Sequence, residues 1–202
     1  MEETTGQPPL GRDRPAPGVL RLRLNRPERR NALDRPLLEL LLDAFAAPDE
    51  PVVVLGSTST AAFCAGADLR LEDGERAEVS DLLYELYSRM TGCDALVVAA
   101  LDGPAVGGGA QLAIAADLRV ASPGARIQLA GPGHGLAVGA WALPSLVGRG
   151  VDLAAQLATL DPSAAARVKR VAWASARALE ALEAERAENR TAWTGSMETA
   201  RG

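Results

Sequence analysis

At 202 residues and 48% hydrophobic composition, the chain is long enough to bury the core of one domain. Aromatic residues make up only 3% and the net charge is -5, which argues against base stacking or a basic phosphate-binding face, so no nucleic-acid partner is expected. Two cysteines and one histidine exclude a disulfide framework and a multi-histidine metal centre, and no metal is expected. The N-terminal "MEETTGQPPL" has no apolar stretch of signal-peptide type, and no apolar run is long enough to span a bilayer. A cytoplasmic protein without a membrane partner is the expectation.

Residues 1–18 are rich in Pro, Gly and charge and read as a disordered tail. "VLRLRL" (19–24) alternates apolar and polar residues, the period of a strand. Asp34 is placed to cap a helix with Pro36 in its first turn, and leucines 37, 38, 41 and 42 form its apolar stripe. "PVVVLG" (51–56) and "ALVVAAL" (95–101) are continuous apolar runs of strand length, as in a sheet covered on both faces. Between them, residues 79–92 carry Leu82, Leu83, Leu86 and Met90 at helical spacing. A helix over 108–116 and the short strands "DLRVA" and "RIQLA" follow. A long helix over 163–190 closes the pattern, with Val168, Val171, Leu179 and Leu182 inside and "AERAENR" solvated. Strands alternating with helices indicate an α/β fold.

Two small-residue loops, 64–67 and 107–109, follow the ends of buried strands, where α/β proteins build sites. "GPAVGGGA" is neither a P-loop nor a dinucleotide fingerprint. Glycines at a helix start fit a tight turn; they equally let a ligand oxygen approach free N–H groups at the positive end of the helix. Two such loops can place one N–H each on a single oxygen, the minimum for an oxyanion hole.

The segments "LRLNRPERRNALD", "AAFCAGADL" and "GPAVGGGAQLAIAADLRVAS", in this order, resemble the crotonase family, the enoyl-CoA hydratase/isomerase superfamily. The resemblance covers about residues 19–150. It implies a spiral of ββα units with a C-terminal helical segment, here the shortened region 151–202, assembled as a homo-oligomer of trimers or pairs of trimers. It implies an acyl-CoA ligand, with coenzyme A entering as part of the substrate rather than as a resident cofactor. The two oxyanion donors fall on the amides of Ala67 and Gly108. The backbone of Ala65–Asp68 would hold the adenine end of CoA, with Arg29, Arg30 and Arg70 as candidates for its phosphates. Solvated arginines are the alternative.

Hydratases of this family place and activate water with two glutamates. The matching positions here are Gln111 and Gly131. An amide donates and accepts hydrogen bonds but does not take a proton from water. His134, the single histidine, lies three residues past Gly131 and is a candidate proton carrier; a solvated loop histidine is the alternative. Tyr84 and Tyr87 are expected to line an acyl pocket, Asp68 and Asp117 to be structural, and Cys64 to be a buried thiol. Two functions follow as expectations. One is an acyl-CoA enzyme of non-hydratase chemistry, such as decarboxylation or thioester cleavage. The other is a non-catalytic member that binds acyl-CoA or supports a partner.

Overall fold

The computed structural model describes residues 7–68, 70–131, 138–139, 141–142 and 178–195. The chain opens with two antiparallel strands, β1 (Leu10–Ala16) and β2 (Val19–Leu24). Helix α1 (Arg35–Ala46) crosses to β3 (Val52–Ser57), and α2 (Asp73–Gly92) crosses to β4 (Leu96–Leu101). The short strand β5 (Pro104–Val106) runs into α3 (Gly108–Ala115), followed by β6 (Leu118–Ala121) and β7 (Arg126–Gln128). The last helix, α4, covers Ala178–Gly195. Strands β2, β3, β4 and β6 are parallel in a five-stranded sheet of order β1-β2-β3-β4-β6, and β5 pairs with β7 in a small second sheet. The expected α/β class with parallel strands is what the chain adopts.

Period-two patterning sets the inner sheet face. Leu20 and Leu22 pair with Val53 and Leu55, and these pair with Val97 and Ala99; all six are fully buried. Against them pack Leu37, Leu38, Leu41 and Phe45 of α1 and Leu83, Leu86 and Met90 of α2. Each fully buried leucine contributes about 1.5–3 kcal/mol, so the α1 stripe alone fixes that helix on the sheet. Asp34 caps α1, accepting from the Leu37 amide at 3.1 Å, and a Glu72–Glu75 capping box starts α2.

Three expectations need correction. Residues 10–16, read as disordered tail, form the edge strand β1, turned back at Gly18 (φ +77°). Their charges suit an edge that faces water, and Arg12, Arg14 and Asp13 find partners in Asp49, Glu50 and Arg21. The sheet is covered on one face only in part: Val52, Val54 and Val98 are half-buried, and Leu96, Leu118 and Val120 are 44–64% exposed. The third is the solvated face assigned to "AERAENR": Glu185 and Asn189 are buried beside Leu182. Val168 and Val171 lie outside the described residues. No described helix is long and apolar enough to cross a membrane.

Candidate active site

The site forms where the loop after β3 lies flat on the segment that links β4 to α3. The Cys64 amide donates to the Pro104 carbonyl at 3.2 Å, and the Val106 amide donates to the Cys64 carbonyl at 2.9 Å. Only glycine permits this approach at the closest points. A Cβ on Gly109 would stand 2.3 Å from the Cys64 carbonyl oxygen, and one on Gly66 2.7 Å from the Val106 oxygen. Gly66 also has φ +91°, a conformation that L side chains rarely adopt.

Ala67 is half-buried at this junction and held by the bonds on either side of it. The Gly66 carbonyl accepts from Leu33 at 2.8 Å, and the Asp68 amide donates to the Leu33 carbonyl at 2.9 Å. The Ala67 N–H has no acceptor among the described residues. Gly108 opens α3, so its N–H has no partner within the helix, and none among the described residues outside it. A Cβ on Gly108 would lie 3.6 Å from the Ala67 nitrogen, so the two amides sit side by side. Leu83 Cδ1 and the Tyr87 hydroxyl border the same position at 3.3 Å each, and Tyr87 donates to the Gly108 carbonyl at 3.0 Å. Burial, with the nearby Cys64 and Glu185, raises Tyr87 well above the ordinary phenol value, so it stays protonated.

One turn along α3, Gln111 is buried, and its Oε1 accepts from the Trp141 indole N–H at 2.9 Å and the Gly139 amide at 3.1 Å. The amide oxygen is therefore occupied, and the side chain has donors left to offer. Glu185 reaches the same cluster from α4. It accepts from the Tyr84 hydroxyl at 2.5 Å, from the Gly139 amide at 3.2 Å and from the Trp141 amide at 3.3 Å, while Asn189 donates to Tyr84 at 2.7 Å. The residue reading missed Glu185 because of its charge. The signal was the helical spacing itself: Leu182, Glu185 and Asn189 continue one face.

The other candidates separate. Arg30 is exposed, with φ +52°, beside a cleft of about 220 Å³ lined also by Ala61, Ala62, Ala65, Pro104 and Val106. Its carbonyl accepts from the Ala65 amide at 3.0 Å. Arg29 is half-buried in a single 3-10 turn, and Arg70 is exposed. The arginine that fastens the Ala65–Asp68 loop is Arg26, paired with Asp34 at 2.9 Å and near Asp68 at 3.9 Å. Asp68 accepts from the Arg70 amide at 3.1 Å, and Asp117 from the Val97 amide at 2.8 Å; both brace backbone. Burial pushes the Cys64 thiol up to about 12, against the opposing Gly66 amide and Arg26, and its Sγ donates to the Asn31 carbonyl at 3.1 Å. It is an inert core thiol. Gly131 is buried, and His134 lies outside the described residues.

Helix α4 is docked on α2 by Asp81, which accepts from Arg186 at 3.1 Å and from Arg190 at 2.6 and 3.0 Å. Burial raises the Asp81 carboxyl, but the bonds from Arg190 and Arg186 outweigh it and leave the group below its ordinary 3.8. The folded value is depressed, so this stabilisation is full above that ordinary value and is lost as pH falls through the folded one. Acid melts should show it: the wild-type melting temperature drops more steeply below about pH 4 than that of Asp81→Asn. Parallel curves would mean that the contact is silent.

Comparison with known proteins agrees with this architecture. The family model described as Enoyl-CoA hydratase/isomerase matches residues 15–161. Among curated proteins, "Probable enoyl-CoA hydratase echA6" of Mycobacterium tuberculosis is 44% identical over 141 residues, 67% of this chain and 57% of its own length. The mitochondrial "Enoyl-CoA hydratase domain-containing protein 2" of Bos taurus is 40% identical over 62% of this chain and 45% of its own length. This chain thus spans less than two thirds of the curated relatives it matches first. Among solved structures, an enoyl-CoA hydratase from Mycobacterium smegmatis superposes with TM-score 0.63 at 33% identity, over 71% of this chain and 60% of its own. A Bordetella parapertussis structure, 23% identical, covers 90% of this chain and 93% of its own length at TM-score 0.67, a likeness of fold alone. With most of its length matched by the family model and its sheet and helices superposing on enoyl-CoA hydratases, the chain belongs to the enoyl-CoA hydratase/isomerase family, the crotonase superfamily.

Proposed function

We propose that the protein binds an acyl-CoA thioester with the carbonyl oxygen between the Ala67 and Gly108 amides, and catalyses a reaction other than hydration. The observation that carries this is the pairing of two adjacent N–H groups, without an acceptor among the described residues, with Gln111, whose Oε1 is already engaged by Gly139 and Trp141. The amides and the positive end of α3 favour an oxyanion or enolate; one such donor is typically worth about 3 kcal/mol in the transition state. No side chain at position 111 or 131 can take a proton from water, so decarboxylation, which uses no water nucleophile, fits the site better than water addition, and thioester cleavage would need a base from elsewhere. The CoA moiety would lie along Ala65–Asp68, with Arg30 at the adjoining cleft for its phosphates.

A panel of thioesters tests this. Acetyl-CoA and malonyl-CoA should raise the melting temperature, a malonyl-type or simple acyl thioester should turn over, and crotonyl-CoA should not be hydrated. Rapid hydration of crotonyl-CoA, or no shift with any thioester, would overturn the reading. The second reading, a non-catalytic binder, is favoured by Leu83 and Tyr87, which would each stand 3.3 Å from a Cβ at Gly108, and binding without any turnover would select it.

A further inference from the structure

Helix α4 carries a carboxylate into the interior of the molecule, and stability alone does not account for it. Glu185 is fully buried. Removing a carboxylate from water costs several kcal/mol, and a well-packed apolar side chain often serves a core as well or better. The position is nonetheless built to receive charge. Both carboxylate oxygens accept hydrogen bonds, Oε1 from Tyr84 and Gly139 and Oε2 from Trp141. Gly139 donates the same N–H to Gln111 Oε1, so the Glu185 carboxylate stands next to the side chain one turn beyond Gly108. Tyr87 joins this cluster to the amide pair. Its ring lies 5.8 Å from Tyr84 and stacks at 6.3 Å on Trp141, and its hydroxyl rests on Gly108.

We propose that Glu185 is the proton-handling carboxylate of the acyl-CoA site, exchanging a proton with the α-carbon of a thioester held on the Ala67 and Gly108 amides. The inference rests on the acyl-CoA reading given above. In the forward step the Cα–H bond breaks and the proton passes to a Glu185 oxygen. The bonding pair forms the Cα=C1 bond of the enolate, and the carbonyl π pair moves onto the oxygen held by the two amides. The reverse step returns the proton, and no co-reactant is consumed. Tyr84 does not compete for the proton: burial and then Glu185 itself hold its phenol protonated, and it serves as a donor to the carboxylate. The ionisable groups of α2 that face Glu185 are Tyr84 and Tyr87. On its own helix Arg186 is bound to Asp81, and across the cluster α3 presents the neutral Gln111.

The test is solvent exchange at the α-carbon. Acetyl-CoA and butyryl-CoA are incubated with the full chain in deuterium oxide, and deuterium uptake is read by proton NMR, with the thermal shift by each thioester measured in parallel. Wild-type protein should exchange at least one of them. Glu185→Gln should lower that rate about 100-fold or more while keeping the thermal shift. Tyr84→Phe guards against a variant that fails to fold. It removes one hydrogen bond to the ionised carboxylate, so the pH midpoint of exchange should move upward. A Glu185→Gln variant that exchanges within about threefold of wild type overturns the proposal, taking the same 100-fold expectation as reference. So does an unmoved midpoint in Tyr84→Phe. Thioesters that bind to wild type without exchange overturn it while leaving the binding reading intact; thioesters that neither bind nor exchange overturn both.

Discussion

Gln111→Glu is expected to destabilise the protein by about 3 kcal/mol at neutral pH and to bring no hydratase activity. The substitution restores the residue type that hydratases of the family use, so the family resemblance alone would forecast a gain. The surroundings forecast a loss. Gln111 and Glu185 already share the Gly139 N–H, and a second carboxylate there faces the first across a single donor. Like charges so placed do not both ionise, and one carboxyl is held protonated. The amide's own donors are lost too, including the one that Gln111 offers Tyr84. The sign of the pH effect follows. The folded form keeps a proton that the unfolded chain releases near pH 4.3, so the penalty is absent below that value and grows as pH rises toward the folded value. Denaturant unfolding at about pH 5 and pH 8 should show a wider gap from wild type at the higher pH. An equal gap at both would mean that the two carboxyls do not meet. Hydration should remain absent, because the position that matches the family's second glutamate is still Gly131; crotonyl-CoA hydration by the variant would place the reacting water elsewhere.

What the residues disclosed in advance follows the range of the forces involved. Helix α1 was legible because its cap and its leucine stripe are local: Asp34, Leu37, Leu38 and Leu41 lie within two turns. The paired loops were legible because their close approach admits only small residues, and runs such as "AGA" and "GGG" record that steric demand. Strand β1 was not, since proline and alternating charge mark both disordered tails and solvent-facing edge strands; the pairing with β2 decides between them. Glu185 was legible only in part: the helical spacing from Leu182 marks its face, but its charge argues for solvent. Its burial depends on Tyr84, 101 residues earlier, and on Trp141, 44 residues earlier, partners that no local pattern reveals. The identity of Gln111 could be read, but not how its side chain is oriented. That is set by Gly139 and Trp141, which claim the oxygen.

Gly109→Ala is expected to be the most damaging single-methyl change in the site, and Gly74→Ala its control. At Gly109 the added Cβ would lie 2.3 Å from the Cys64 carbonyl oxygen, 2.6 Å from Cys64 Cβ and 2.8 Å from its carbonyl carbon. Two of these atoms are backbone, and Cys64 is fully buried and bonded to Pro104, Val106 and Asn31, so no flexible side chain can give way. Helix α3 and the Cys64 loop must move apart, which places the cost at or above the upper end of ordinary overpacking, about 3 kcal/mol. The same displacement separates the Ala67 amide from the Gly108 amide, so any folded fraction should lose thioester turnover as well as stability. Gly74 sits in the first turn of α2 with nothing within 4 Å of an added Cβ. Alanine there should be neutral or stabilise by up to about 1 kcal/mol, because it narrows the unfolded ensemble without a clash. Chemical denaturation of both variants, with turnover of the best thioester substrate measured below the transition, checks the contrast. A Gly109→Ala protein as stable and active as Gly74→Ala would show that the two loops are not pressed together as described, and that the amide pair does not depend on their contact.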